Sequence, residues 1–223
     1  MRTPALALPL LLVLGGCQAE IEPAPTPTPT NTGPRTLVSA GLNDQQLGPR
    51  IVGPQGPEVV STVTFEGSVV AEITSFVTCP ATPEGETAPE ECVPEDQPEG
   101  TVYTYVHRVV PAEGAGPVAS FRTSRRATGF ANVIGFNRVQ ATGALGEDYS
   151  IGVQIDNGAL IWRIEAGDGW DAGEEITLFW QSTLPPAGPE EAYLVETADG
   201  MVAATGPFPP EPEESAGEAP AGD

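Results

Sequence analysis

Three groups of residues in this chain have side chains and spacings that invite chemistry. The first is the alternating run TVYTYVHRVV at 101–110. In an extended strand, Tyr103, Tyr105 and His107, the only histidine, fall on one face, with Val102, Thr104, Val106 and Arg108 on the other. Tyrosine faces beside an imidazole can stack a sugar ring; the same pattern also suits a half-buried sheet face. The second is FRTSRRATGF, which places Arg122, Arg125 and Arg126 in one turn between strands. Guanidinium forks take phosphate or carboxylate. Here the expected carboxylates are the chain's own, from the acidic loop at 80–100 or the C-terminal tail, ahead of an external anionic glycan. The third is the Gly-rich acidic loop at 167–175, where Asp168, Asp171 and Glu174 offer oxygens to Ca²⁺. The spacing is not that of an EF-hand, and a solvated turn is the competing reading. No other cofactor is expected.

Catalytic signatures are missing. No G-x-S-x-G, phosphate-binding loop or dinucleotide fingerprint occurs. Any Ser–His–Asp set would have to use His107, and no serine sits in a nucleophile elbow. Carboxylate pairs are too abundant to point anywhere. The expectation is a non-enzyme; a hydrolase without a recognisable motif stands as a distant alternative.

These groups need strands to hold them. Val, Ile, Thr, Phe and Tyr cluster in short runs broken by Gly, Pro and Asn/Asp. Candidate strands lie at 37–41, 59–65, 69–77, 102–110, 118–123, 131–141, 176–183 and 192–197. The segment SIGVQIDNGALIWRI at 150–164 predicts a hairpin. Asn157-Gly158 is the preferred pair for a two-residue type I′ turn. That turn sets Ile155 opposite Leu160, Val153 opposite Trp162 and Ile151 opposite Ile164, all on one face. A second tight turn is expected at Thr197–Met201, and one short helical turn at 189–191. No stretch of eleven residues holds a helical period. About ten short strands in some 170 residues predict a single antiparallel β-sandwich, with a closed barrel as second choice. The architecture is Ig-like without the Cys…Trp…Cys hallmark, since Cys79 and Cys92 lie close together with no Trp between them.

Charge narrows the partners. The formal net charge is −22, with nine arginines and no lysine. Nucleic-acid binding depends on neutralising phosphates, so such a chain is expected to avoid it. A protein or glycan partner is left open.

The cysteines are 17, 79 and 92, an odd number. Arg2 precedes an apolar segment, Ala5–Leu14, of export-signal length and too short to span a bilayer. It ends in Leu14-Gly15-Gly16-Cys17, which resembles the lipobox of bacterial lipoproteins. The resemblance covers about the first 20 residues and implies diacylglycerol on the Cys17 thiol and cleavage just before it. By the same resemblance, Gln18 in place of Asp favours the outer membrane. Two or more acyl chains anchor a protein stably where one does not. Export places Cys79 and Cys92 in an oxidising compartment, where they are expected to pair. The expected organisation is a signal peptide at 1–16, a lipidated Pro/Thr-rich tether at 17–35, the β domain at 36–206 with its disulfide loop at 79–92, and a disordered acidic Pro-rich tail at 207–223. No family resemblance is seen for the β domain.

Overall fold

The computed structural model describes residues 33–211. Among these, thirteen strands form two sheets packed face to face. In chain order they are β1 (Arg35–Thr36), β2 (Ala40–Gly41), β3 (Leu47–Arg50), β4 (Val59–Phe65), β5 (Ser68–Pro80), β6 (Tyr103–Pro111), β7 (Val118–Thr123) and β8 (Phe130–Phe136). After the helix α1 (Arg138–Leu145) come β9 (Ser150–Asp156), β10 (Ala159–Ala166), β11 (Ile176–Ser182), β12 (Gly188–Thr197) and β13 (Gly200–Phe208). The six-stranded sheet runs β1-β9-β10-β7-β12-β13. The seven-stranded sheet runs β2-β8-β11-β6-β5-β3, with β4 also paired to the long β5. Every pairing is antiparallel except β2 with β8. The all-β sandwich is the fold the turn spacing predicts.

The 150–164 hairpin forms in the expected register: Leu160 opposes Ile155, Trp162 opposes Val153 and Ile164 opposes Ile151. Asn157 and Gly158 both take positive φ, 50° and 87°, as a type I′ turn requires. The β12–β13 hairpin also closes through two residues, with Thr197 opposite Gly200, but neither Ala198 nor Asp199 takes positive φ.

The inward faces meet in an aromatic core. Phe121, Trp162 and Tyr193 come from the six-stranded sheet; Tyr105, His107 and Trp180 come from the other. The seven-stranded sheet also buries part of its outer face. Phe76, Val106 and Phe179 lie there beneath Ala40, Leu42 and Val133. Residues 40–50 run across that face, and the Arg50 guanidinium sits 3.9 Å from the centre of the Phe76 ring.

Four expectations are corrected. The run expected as a strand at 131–141 stops at Phe136, and α1 begins at Arg138. Asn137 caps the helix by accepting from the Val139 and Gln140 amides. Residues 189–191 are strand, not a helical turn. The strand expected at 37–41 is broken: β1 pairs with one sheet and β2 with the other, so this segment bridges the two. Finally, the last strand continues to Phe208, past the expected limit of 206, because Phe208 is fully buried against Trp180 and Tyr193. Residues 1–32 and 212–223 lie outside the described set, and with them the signal peptide, Cys17 and most of the tether and tail.

Candidate functional site

Tyr103, Tyr105 and His107 share a face, as alternation demands, but that face points into the sandwich. Tyr103 keeps 4 % of its surface exposed, Tyr105 and His107 none. Tyr105 stacks on Trp180 at 4.4 Å and donates its hydroxyl hydrogen to the Leu184 carbonyl at 3.0 Å. His107 packs against Tyr193 and Phe121, with ring centres 4.3 and 5.3 Å away. No ring of this set offers a face to a sugar. The seven-stranded sheet turns this side towards Phe121 and Tyr193, so the stripe is core.

Both imidazole nitrogens are engaged. Ser75 Oγ lies 2.9 Å from Nδ1, and the Trp180 indole donates to Nε2 at 3.3 Å. Complete burial lowers the His107 pKa to about 3. Burial raises Tyr105 and Tyr193 well above the ordinary tyrosine range. The Ser75–His107 contact, between residues 32 apart in sequence, was not legible in the chain. Ser75 is only 1 % exposed, so the pair does not open to a substrate.

The acidic loop between β10 and β11 spends its groups on itself. Trp170 is buried and its indole donates to the Glu174 carbonyl at 2.7 Å. The Glu174 carboxylate accepts from the Asp171 amide at 2.8 Å. Asp168 leans towards the α-carbon of Gly146, on a different neighbour. Among the described residues, no three His, Cys, Asp or Glu side chains converge as a metal site. The expected Ca²⁺ set of Asp168, Asp171 and Glu174 is therefore not assembled; a buried tryptophan latch takes its place.

Cys79 and Cys92 form a disulfide with a Cα–Cα distance of 5.9 Å, both side chains buried. Cys92 donates its amide hydrogen to the Arg50 carbonyl, which ties the end of the acidic loop to β3.

The three arginines have separate fates. Arg122 lies on β7, half-buried, with Nε donating to the Thr123 carbonyl at 3.4 Å. Arg125 is paired within the chain. It bonds the Glu190 carboxylate, lies 3.5 Å from that of Glu211 and covers the Phe208 ring at 4.7 Å. Glu211 belongs to the segment expected as tail, so part of the self-pairing expectation is met. Arg126 is exposed and, among the described residues, has no carboxylate partner.

Arg126 lines a cleft of about 390 Å³ together with Thr128, Gly129, Phe130, Ile155, Gly158 and Thr183. Three loops supply it: the β7–β8 connection, the Asn157-Gly158 turn and the exit from β11. A Cβ on Gly158 would stand 2.7 Å from Cγ and 3.2 Å from Cζ of Arg126, so the arginine lies flat over the bare turn. Arg35 of β1 opposes Ile155, a lining residue, without lining the cleft itself. The residues of this cleft besides Arg126 carry no shared motif; only the chain path unites them.

Comparison with known proteins finds no matching family model, no matching curated protein and no matching solved structure for this chain. No helix among the described residues is long and apolar enough to cross a membrane.

Proposed function

We propose that this protein is an exported bacterial lipoprotein, held to the membrane by lipid on Cys17. Its β-sandwich is displayed in the cell envelope as a non-catalytic module for protein interaction or envelope structure. The observation that carries the reading is the disulfide between Cys79 and Cys92. Its formation fits an oxidising compartment. It also consumes both cysteines of the domain and leaves Cys17, at the end of an apolar segment, as the odd thiol. The outer membrane is the favoured address, on Gln18.

The non-catalytic part of the reading rests on His107. Its two nitrogens are occupied inside the core and its surface is fully covered. Intact-mass measurement of the protein purified from membranes tests the proposal. Cleavage before Cys17 and the mass of attached acyl chains are expected. A chain that begins elsewhere, or an unmodified Cys17, would overturn it.

A further inference from the structure

One end of the sandwich gathers more than its share of unusual groups. Arg35 opposes Ile155, next to the Asn157-Gly158 turn. Arg122 opposes both Ile161 and Leu194, which carries the β7–β8 loop to the same end as that turn. Ser182 opposes both Phe130 and Tyr103, which brings the end of β11 and the acidic loop there too. Ala187 donates its amide hydrogen to the Phe208 carbonyl, so the C-terminal strand leaves by this end as well. The cleft is therefore at the pole where the described chain both enters and exits.

Among the described residues, Arg50 and Arg125 pair with a carboxylate and the other arginines do not. Three of the nine arginines bear on this pole's chemistry. Arg125 is neutralised by Glu190 and Glu211. Arg126 and Arg35 are not: both are exposed, and among the described residues neither lies within ion-pair distance of an acid. Around Arg126 the cleft adds the Thr128 and Thr183 side chains and the half-buried ring of Phe130. Thr183 Oγ1 donates its one hydrogen to the Gly129 carbonyl at 3.3 Å, so this hydroxyl fixes the loop and does not donate to an anion. Gly129 is left-handed, φ +70°, and a Cβ there would meet Ser182 Oγ at 2.7 Å, so the loop is held close to β11.

We infer that this cleft is an oxyanion site, and that Arg126 binds the phosphate group of a small ligand. A guanidinium presents a planar fork that matches two phosphate oxygens. The volume, about 390 Å³, is that of a small-molecule site. Phe130 offers an apolar wall for whatever carries the phosphate. The acidic loop at 81–102, with seven acids at the same pole, disfavours a broad anionic surface and favours a compact ligand. The inference concerns the domain alone and stands whether or not Cys17 is lipidated.

The test is calorimetric titration of the full-length protein in neutral detergent. The probes are inorganic phosphate and glycerophosphoglycerol, the water-soluble headgroup of a phospholipid, at constant ionic strength set with chloride. Saturable binding of at least one probe is expected, in the millimolar range or tighter. Arg126→Ala should weaken it at least fivefold and Arg126→Lys by less. Arg163→Ala removes an equal charge from the exposed outer face of β10 and should leave it unchanged. Tighter binding of the diester assigns the source to a lipid headgroup, and tighter binding of inorganic phosphate assigns it to a soluble phosphate. No saturable heat from either probe, or equal losses in the Arg126→Ala and Arg163→Ala variants, overturns the inference. Thermal melts of each variant confirm folding, which the exposure of both side chains predicts.

Discussion

The Trp180 indole donates to Nε2 of His107 across 3.3 Å. An indole N–H has no acceptor role, so Nε2 must present its lone pair and the proton of the neutral ring sits on Nδ1. That proton goes to Ser75 Oγ, 2.9 Å away. The relationship links neighbouring strands β5, β6 and β11 through side chains in the middle of the core, where Tyr193 of the opposite sheet closes over the ring. A second proton on this imidazole would face an indole donor with no carboxylate in contact, which is why burial depresses its pKa so far.

The first prediction follows from that proton. The folded protein keeps His107 neutral down to about pH 3, whereas the unfolded chain protonates it near 6.5. Between those values the unfolded state gains the proton. Stability from this residue is thus intact above about pH 7 and falls as pH drops, by at most ~1.4 kcal/mol per pH unit. The carboxylates titrate in the same window, so the measurement is a difference. Urea unfolding of the wild type and of His107→Gln should show the gap between them shrinking by ~3 kcal/mol from pH 7 to pH 4. A gap that does not change with pH would refute the assignment.

The second concerns the disulfide. Cys79 and Cys92 are 13 residues apart, and closing a loop of that size removes chain entropy worth ~3 kcal/mol. Reduction of the native protein should lower its melting temperature by about 6–12 °C for a domain of this size. Because the sulfurs are bonded and buried, Cys79 and Cys92 should react with a maleimide probe only after both unfolding and reduction. Labelling mapped to either residue in protein unfolded without reductant would show that the bond is absent.

The third sets the C-terminal limit of the domain. Phe208 is fully buried, its carbonyl accepts from the Ala187 amide, and the Pro207 carbonyl accepts from the Tyr193 hydroxyl at 2.9 Å. A chain ending at residue 206 loses all three and should be destabilised by at least the ~3–5 kcal/mol of a buried Phe-to-Ala change. A chain ending at residue 211 should melt with the full-length protein. Equal melting of the two truncations would show that Phe208 contributes nothing.

What the sequence conveyed and what it withheld can be seen at particular residues. The 150–164 hairpin was legible because the Asn-Gly turn and the apolar alternation demand one register. The Tyr103-Tyr105-His107 stripe was legible as a face but not as an inward one. Its strand is covered on both sides, Val106 on the outside being as buried as Tyr105 on the inside, so apolar alternation carries little directional signal. The helix α1 is only eight residues, RVQATGAL, below the length at which a helical period shows; its one local sign was the cap at Asn137. Phe208 sat among prolines and glutamates in a segment whose composition suggests disorder. The cleft could not be found from sequence, because Arg126, Ile155 and Thr183 come together only through strand order.

The fourth prediction uses that convergence. Gly158 has φ +87°, where a β-carbon costs ~1–2 kcal/mol, and that carbon would also strike the Arg126 side chain 2.7 Å away. Gly158→Ala should therefore carry two penalties, one of backbone strain and one of displacement of Arg126. In an Arg126→Ala background only the first remains. Chemical unfolding of the four proteins in a double-mutant cycle should give a smaller Gly158→Ala cost when Arg126 is absent, with a coupling of at least ~0.5 kcal/mol for residues in contact. Strictly additive costs would mean that Arg126 swings clear of the turn without resistance, and the flat packing of its side chain over Gly158 would no longer explain how the guanidinium is held at the cleft.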